Sequence, residues 1–209
     1  MRRAVGFITL AAILAAWLVS CNKNNDPYNI PNPDVGQWAD FGTGTGTGFV
    51  GLLANPFQLP AQSSGKSVNY VYTKPAGKLA VGHVVTLNFT IDGDATYGAA
   101  DPGEACPCHV GLLIWRAGDE LSGQGKFASY RFFSRQTAPL EPGTQLLSVS
   151  LDPSAWINVW GQSDPSGFAA ALANAQYIGF TFGGVYFAGH GAWTTSGNAT
   201  FNILSFTVQ

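Results

Sequence analysis

Charge is scarce in this sequence. Charged residues make up 11 % of the 209, with 10 Lys and Arg against 12 Asp and Glu, for a net charge of −2. Too few cations are present to build the basic patch that displaces counterions from a phosphate backbone, so nucleic acid is excluded as a partner. Methionine occurs once and cysteine three times. Catalytic signatures are missing as well. No Gly-x-Ser-x-Gly elbow occurs, and Cys106 and Cys108 share one tiny loop rather than one of them pairing with a distant histidine. The acids fall mostly in turns, at Asp119-Glu120, Glu141-Pro142, Asp152-Pro153 and Asp164-Pro165, where turn chemistry accounts for them. Paired carboxylates for glycoside cleavage leave no mark in a sequence, so hydrolysis stays as the last alternative to a non-enzymatic protein. Two apparent phosphate loops fail. Ser64-Gly65-Lys66-Ser67 has Pro60 where the motif needs glycine, and the GTGTGTG run at 42–48 leads into a strand-like segment rather than a helix.

What is abundant is glycine, with 26 residues, together with Thr, Ser, Asn, Val and aromatics. That is the composition of an all-β domain rich in turns. Alternation of apolar and polar residues is cleanest at 84–92, where Val85, Leu87, Phe89 and Ile91 share one parity. Further strands are expected at 37–41, 49–53, 68–73, 109–116, 130–134, 145–151, 177–183 and from 199 to the end. Residues 112–115 are apolar in both parities, as a central strand requires. In the last strand the apolar parity changes near Ile203, which means either a β-bulge or burial on both faces. Asp164-Pro165 reads as a helix cap with proline in the first turn. One short helix over 168–175 follows, with Phe168 and Leu172 a turn apart.

The N-terminus carries Arg2 and Arg3, an apolar run over 4–19, and then Leu18-Val19-Ser20-Cys21. The run is shorter than a confident membrane span and has the layout of a signal peptide. Together these residues resemble the lipobox of bacterial lipoproteins. The resemblance implies a signal peptide over 1–20, cleavage before Cys21, lipid attachment to its sulfur and a membrane anchored through that lipid. Without Arg2 and Arg3 the chain would carry 8 basic and 12 acidic residues, net −4. Asn22 stands where an aspartate resembles an inner-membrane retention signal, so an outer-membrane or cell-surface address in the envelope is expected. Residues 21–35 are rich in Asn, Pro and Asp and are expected to form a disordered tether. Residues 36–209 then form one domain.

Eight or nine strands with one closing helix point to an antiparallel two-sheet jelly-roll β-sandwich. Trp156, Trp160 and Gly161, the run from Ile178 to Gly184, Gly189-His190-Gly191 and the final strand resemble the galactose-binding-like and carbohydrate-binding-module sandwiches. The resemblance covers the last third of the chain and the earlier strands by pattern alone. It implies a binding function, most plausibly for carbohydrate. Sugar rings present an apolar face to flat aromatics, and polar side chains then read the hydroxyls. Trp160, Tyr186 and Trp193 are flanked by glycine and polar residues and are expected to be accessible, with His190 among them. Arg116 and Arg131 are the candidate polar partners, and Trp115 and Trp156 are expected in the core.

Cys106-Pro107-Cys108-His109 leaves three readings open. An oxidising envelope favours a disulfide between Cys106 and Cys108, strained because the ring is tiny. Free thiols are the second reading. A metal or redox site using both cysteines and His109 is the third, although zinc spacing leaves at least two residues between cysteines. Asp92, Asp94, Asp101 and Glu104 make an acidic loop region that could hold a structural calcium ion but does not match the EF-hand spacing, and a solvated turn explains it more simply. No cofactor is otherwise implied. The alternative to glycan binding is an assembly lipoprotein that docks another envelope protein.

Overall fold

The computed structural model describes residues 28–31, 38–42, 49–185 and 189–209. The expected signal segment, Cys21, residues 43–48 and Tyr186 lie outside these. Thirteen strands occur among the described residues: β1 (Tyr28–Pro31), β2 (Trp38–Gly42), β3 (Phe49–Leu53), β4 (Tyr70–Thr73), β5 (Val84–Gly93), β6 (Thr96–Ala99), β7 (His109–Arg116), β8 (Arg131–Pro139), β9 (Gly143–Ser150), β10 (Trp156–Asn158), β11 (Ala175–Gly183), β12 (Ala192–Ser196) and β13 (Ala199–Val208). One α-helix, α1 (Pro165–Ala173), lies between β10 and β11.

The strands form a four-stranded sheet in the order β1-β13-β5-β9, a seven-stranded sheet in the order β10-β8-β7-β11-β4-β2-β3, and the small pair β12-β6. The ladders within them are antiparallel. Strand β1 lies inside the stretch expected as a tether and instead forms the edge of the four-stranded sheet beside β13, Tyr28 opposite Val208. The β6 and β12 strands were not expected either. Gly98 and Gly191 interrupt the apolar pattern on both sides of that pair.

One core joins the two larger sheets. Val85, Leu87, Phe89 and Ile91 of β5 face inward as their alternation demands, and each is at most 1 % exposed. They meet Val110, Leu112 and Ile114 of β7 and Ile178, Phe180 and Phe182 of β11 in the same cluster. Phe201 bridges the layers, its ring stacked 4.7 Å from Phe89 and 5.4 Å from Phe180. Each such side chain contributes about 1.5–3 kcal/mol by burial. The parity change in β13 is a bulge: the register with β5 shifts between Ile203 and Ser205. Leu204 is expelled to the surface, which lets Ile203 and Phe206 both point inward.

Helix α1 starts where the cap motif places it. Asp164 Oδ1 accepts the Gly167 N–H at 2.9 Å, and Pro165 fills the first turn. Phe168 stacks on buried Trp156 at 5.4 Å, so the helix closes one end of the core.

The seven-stranded sheet has a second apolar face. Tyr70, Tyr72, Leu113, Trp115 and Phe133 form a separate buried cluster, with Phe41, Ile157, Val159 and Tyr177 packed against it. These residues alternate with the inward set: Val71 lies between Tyr70 and Tyr72, and Ile114 between Leu113 and Trp115. The face is aromatic and ordered by ring contacts, with Phe41, Tyr72 and Tyr177 all edge-on to Trp115.

Candidate functional site

A cleft of about 250 Å³ opens over this second face. Its floor is Tyr70 from β4 with Arg131 and Phe133 from β8. One wall is Leu121, Ser122 and Gly123, from the loop after β7. Val159 and Trp160 follow β10, and His190 comes from the loop between β11 and β12.

Arg131 is the buried cation of the site. Its side chain is 7 % exposed and its Nε lies 2.7 Å from Asp119 Oδ2, a carboxylate whose side chain is 1 % exposed. Arg131 Nη1 donates to the Tyr70 hydroxyl at 3.1 Å. Asp119 also holds the wall, because its Oδ1 accepts the Leu121 N–H at 2.9 Å. That loop is tightly bent, with φ of 61° at Leu121 and 65° at Gly123. A positive φ at a non-glycine residue is held only where its surroundings fix it, and here the Asp119 carboxylate does so. Burial pushes the Asp119 carboxyl above its ordinary pKa, against the pull of Arg131 and the Leu121 N–H. Burial likewise pushes the Tyr70 phenol up, so it stays a neutral donor and acceptor.

Trp160 is 58 % exposed. Its position is set by the turn after β10, where buried Asn158 Oδ1 accepts the N–H groups of Trp160 and Gln162 at 2.9 and 3.1 Å. The ring therefore stands beside the cleft on a backbone that is pinned, which lowers the entropy lost when a ligand stacks on it.

His190 is placed by a corner around Gly189 and Gly191, whose N–H groups both donate to the Phe182 carbonyl at 2.9 Å. Gly189 has φ of 120° and a Cβ there would lie 3.0 Å from the Phe133 ring, so the corner can only close on the aromatic floor with glycine. His190 Nδ1 lies 3.0 Å from Glu104 Oε1 and 3.3 Å from Asp101 Oδ2. Two carboxylates facing Nδ1 require that nitrogen to carry the proton. Glu104 is fixed in turn, its Oε2 accepting the Gly184 N–H at 2.6 Å.

Of the residues singled out from sequence, Arg131, Trp160 and His190 share this cleft. Trp193 and Arg116 are not among the residues that line it. Trp193 lies across the β6–β12 ladder opposite Gly98, and the space a Cβ at Gly98 would need is taken by the Trp193 indole. Arg116 stacks over the Tyr130 ring at 4.5 Å, a surface cation–π contact. Tyr186 falls outside the described residues. Sequence reasoning did not find Tyr70, Phe133, Ser122 or Asp119.

The acidic residues divide. Asp101 and Glu104 meet His190, whereas Asp94 accepts the Asn198 N–H at 3.0 Å and closes the turn before β13. Among the described residues no group of three or more His, Cys, Asp or Glu is placed to hold a metal ion. Cys106, exposed, and Cys108, buried, stand unbridged with their sulfurs 3.6 Å apart. Cys106 instead has its sulfur 3.3 Å from the Tyr97 carbonyl, and Thr137 engages His109 Nδ1 at 3.3 Å. These contacts help to hold the CPCH segment in place. No helix among the described residues is long and apolar enough to cross a membrane. No family model matches the chain, and neither a curated protein nor a solved structure does.

Proposed function

We propose that this protein is a lipid-anchored envelope or surface protein whose cleft binds carbohydrate without turning it over. The observation that carries the reading is the exposed Trp160 ring beside a cleft floored by Tyr70 and Arg131. An aromatic plane next to fixed hydrogen-bonding groups suits a sugar ring, which is apolar on its faces and polar at its edge. The volume, about 250 Å³, is below the ~300–1,000 Å³ of sites for drug-sized ligands, and fits one ring of a longer chain. The resemblance to galactose-binding-like jelly-roll sandwiches supports the same reading at the level of fold.

The lipid anchor at Cys21 rests on the lipobox alone. Expression with an alkyne-tagged fatty acid tests it: wild type should take up label and Cys21→Ser should not. The binding proposal is tested by applying the full chain to a glycan array, with Trp160→Ala in parallel. Signal on one glycan class that Trp160→Ala loses supports it. Silence across the array, or an equal signal from both proteins, contradicts it.

A further inference from the structure

Among the side chains that line the cleft, hydrogen-bond donors outnumber acceptors. Arg131 carries five N–H donors and no acceptor. Asp119 meets the Nε side of that fork and Tyr70 accepts from Nη1. None of the described residues lining the cleft is Asp, Glu, Asn or Gln. Three carboxylates meet lining residues: Asp119 meets Arg131, and Asp101 and Glu104 meet His190. The side-chain acceptors that remain are the second ring nitrogen of His190 and two hydroxyls, each of which already receives one N–H. Tyr70 Oη receives the Arg131 N–H, and Ser122 Oγ receives the Gln124 N–H at 3.2 Å. A neutral sugar edge offers hydroxyl protons that need acceptors, and this lining supplies few. An acid-bearing ring supplies acceptors and demands donors.

Resting on the carbohydrate reading above, we infer that the cleft selects a uronic-acid residue, with the sugar ring on Trp160 and its carboxylate on the guanidinium of Arg131. A planar carboxylate matches the planar guanidinium fork in a way that a single ammonium cannot. Burial of Arg131 to 6 % exposure strengthens each such bond, because water competes weakly there. Asp119 and Tyr70 position the fork and touch no ligand themselves in this role.

The test uses the full chain and a panel of oligogalacturonates and oligoglucuronates, each paired with its own carboxyl-reduced, neutral counterpart, plus a sulfated neutral oligosaccharide. Affinity is read by calorimetry. The expected result is that at least one uronate binds about tenfold or more tightly than its reduced partner, and that Arg131→Lys narrows that gap. Because the ligand is altered as well as the protein, misfolding of an Arg131 variant cannot mimic the result. Equal binding of a uronate and its reduced partner overturns the inference and leaves the carbohydrate reading standing. Equal binding of the sulfated sugar overturns the assignment of a carboxylate in favour of any anion. No binding to the whole panel, with a neutral glycan bound on an array, also overturns the inference. No binding to any glycan removes both.

Discussion

Asp119 Oδ2 sits 2.7 Å from Arg131 Nε, and the two side chains are 1 % and 7 % exposed. The other oxygen of the same carboxylate holds the backbone of Leu121. One buried acid therefore orients the cation in the floor of the cleft and fixes the loop that forms its wall. The pH dependence of stability reports on this pair. Because burial raises the Asp119 pKa in the folded chain, its contribution is fully present below the ordinary carboxylate value of 3.8 and is lost as pH rises through the raised value. The advantage of wild type over Asp119→Asn in urea should therefore shrink as pH climbs from 3 towards neutrality. A growing advantage would mean that attraction to Arg131 outweighs the burial of the carboxylate.

The aromatic floor depends on close approach of β4 and β11. Gly179 lies opposite Tyr72 in that ladder, and a Cβ on Gly179 would fall 2.0 Å from the Val71 carbonyl oxygen and 2.8 Å from Tyr72 Cα. Backbone in the middle of a sheet cannot step aside. Gly179→Ala should lower stability by about 1–3 kcal/mol or more in urea unfolding. An unchanged midpoint would show that the two strands have slack here.

The two thiols should behave differently. Cys106 is exposed, while Cys108 is 4 % exposed and its thiol is pushed up to about 12, chiefly by burial and then by the neighbouring Cys106. Thiolates are the reactive form. At pH 8 iodoacetamide should label Cys106 in the native protein and spare Cys108, with both labelled in denaturant. Equal native labelling contradicts this, as does failure of either to label without a reductant.

Asp164 caps α1 and also receives the Ser129 hydroxyl, and these bonds hold its carboxyl below the ordinary value, the Ser129 bond most strongly. Loss of an N-cap costs about 1 kcal/mol. Asp164→Ala should be less stable than wild type at neutral pH by roughly that amount. The contribution of a depressed carboxyl is present above 3.8 and lost as pH falls through the folded value, so the gap should close in acid. A gap that persists unchanged well below that value would assign the effect to packing instead.

Local pattern made much of the frame legible. The alternation in β5, the Asp164-Pro165 cap and the change of parity at Ile203 are short-range signals, and each maps onto a physical feature of the chain. The cleft was only partly legible. Arg131, Trp160 and His190 stood out by type and flanking residues. Tyr70 did not, because its role arises from a hydrogen bond to Arg131 across 61 residues of sequence. Asp119 looked like a turn acid, and it is one, through Leu121; its second role is invisible until β7 and β8 pair. The second aromatic face was hinted at by the doubly apolar 112–115 run, but its extent needed the register of β4 and β11. Trp193 was grouped with Trp160 by its glycine neighbours, a signal that reports backbone shape and not location.

The measurement that bears most directly on the central claim is a fluorescence titration of the full chain with glycans, run beside Trp160→Ala. Trp160 is exposed and its ring is not in the core, so the variant should keep its urea midpoint while losing binding. The account predicts a saturable change in tryptophan emission for wild type with one class of glycan, weakened about tenfold or more in the variant. Emission that no glycan alters, or that changes identically in both proteins, would contradict it.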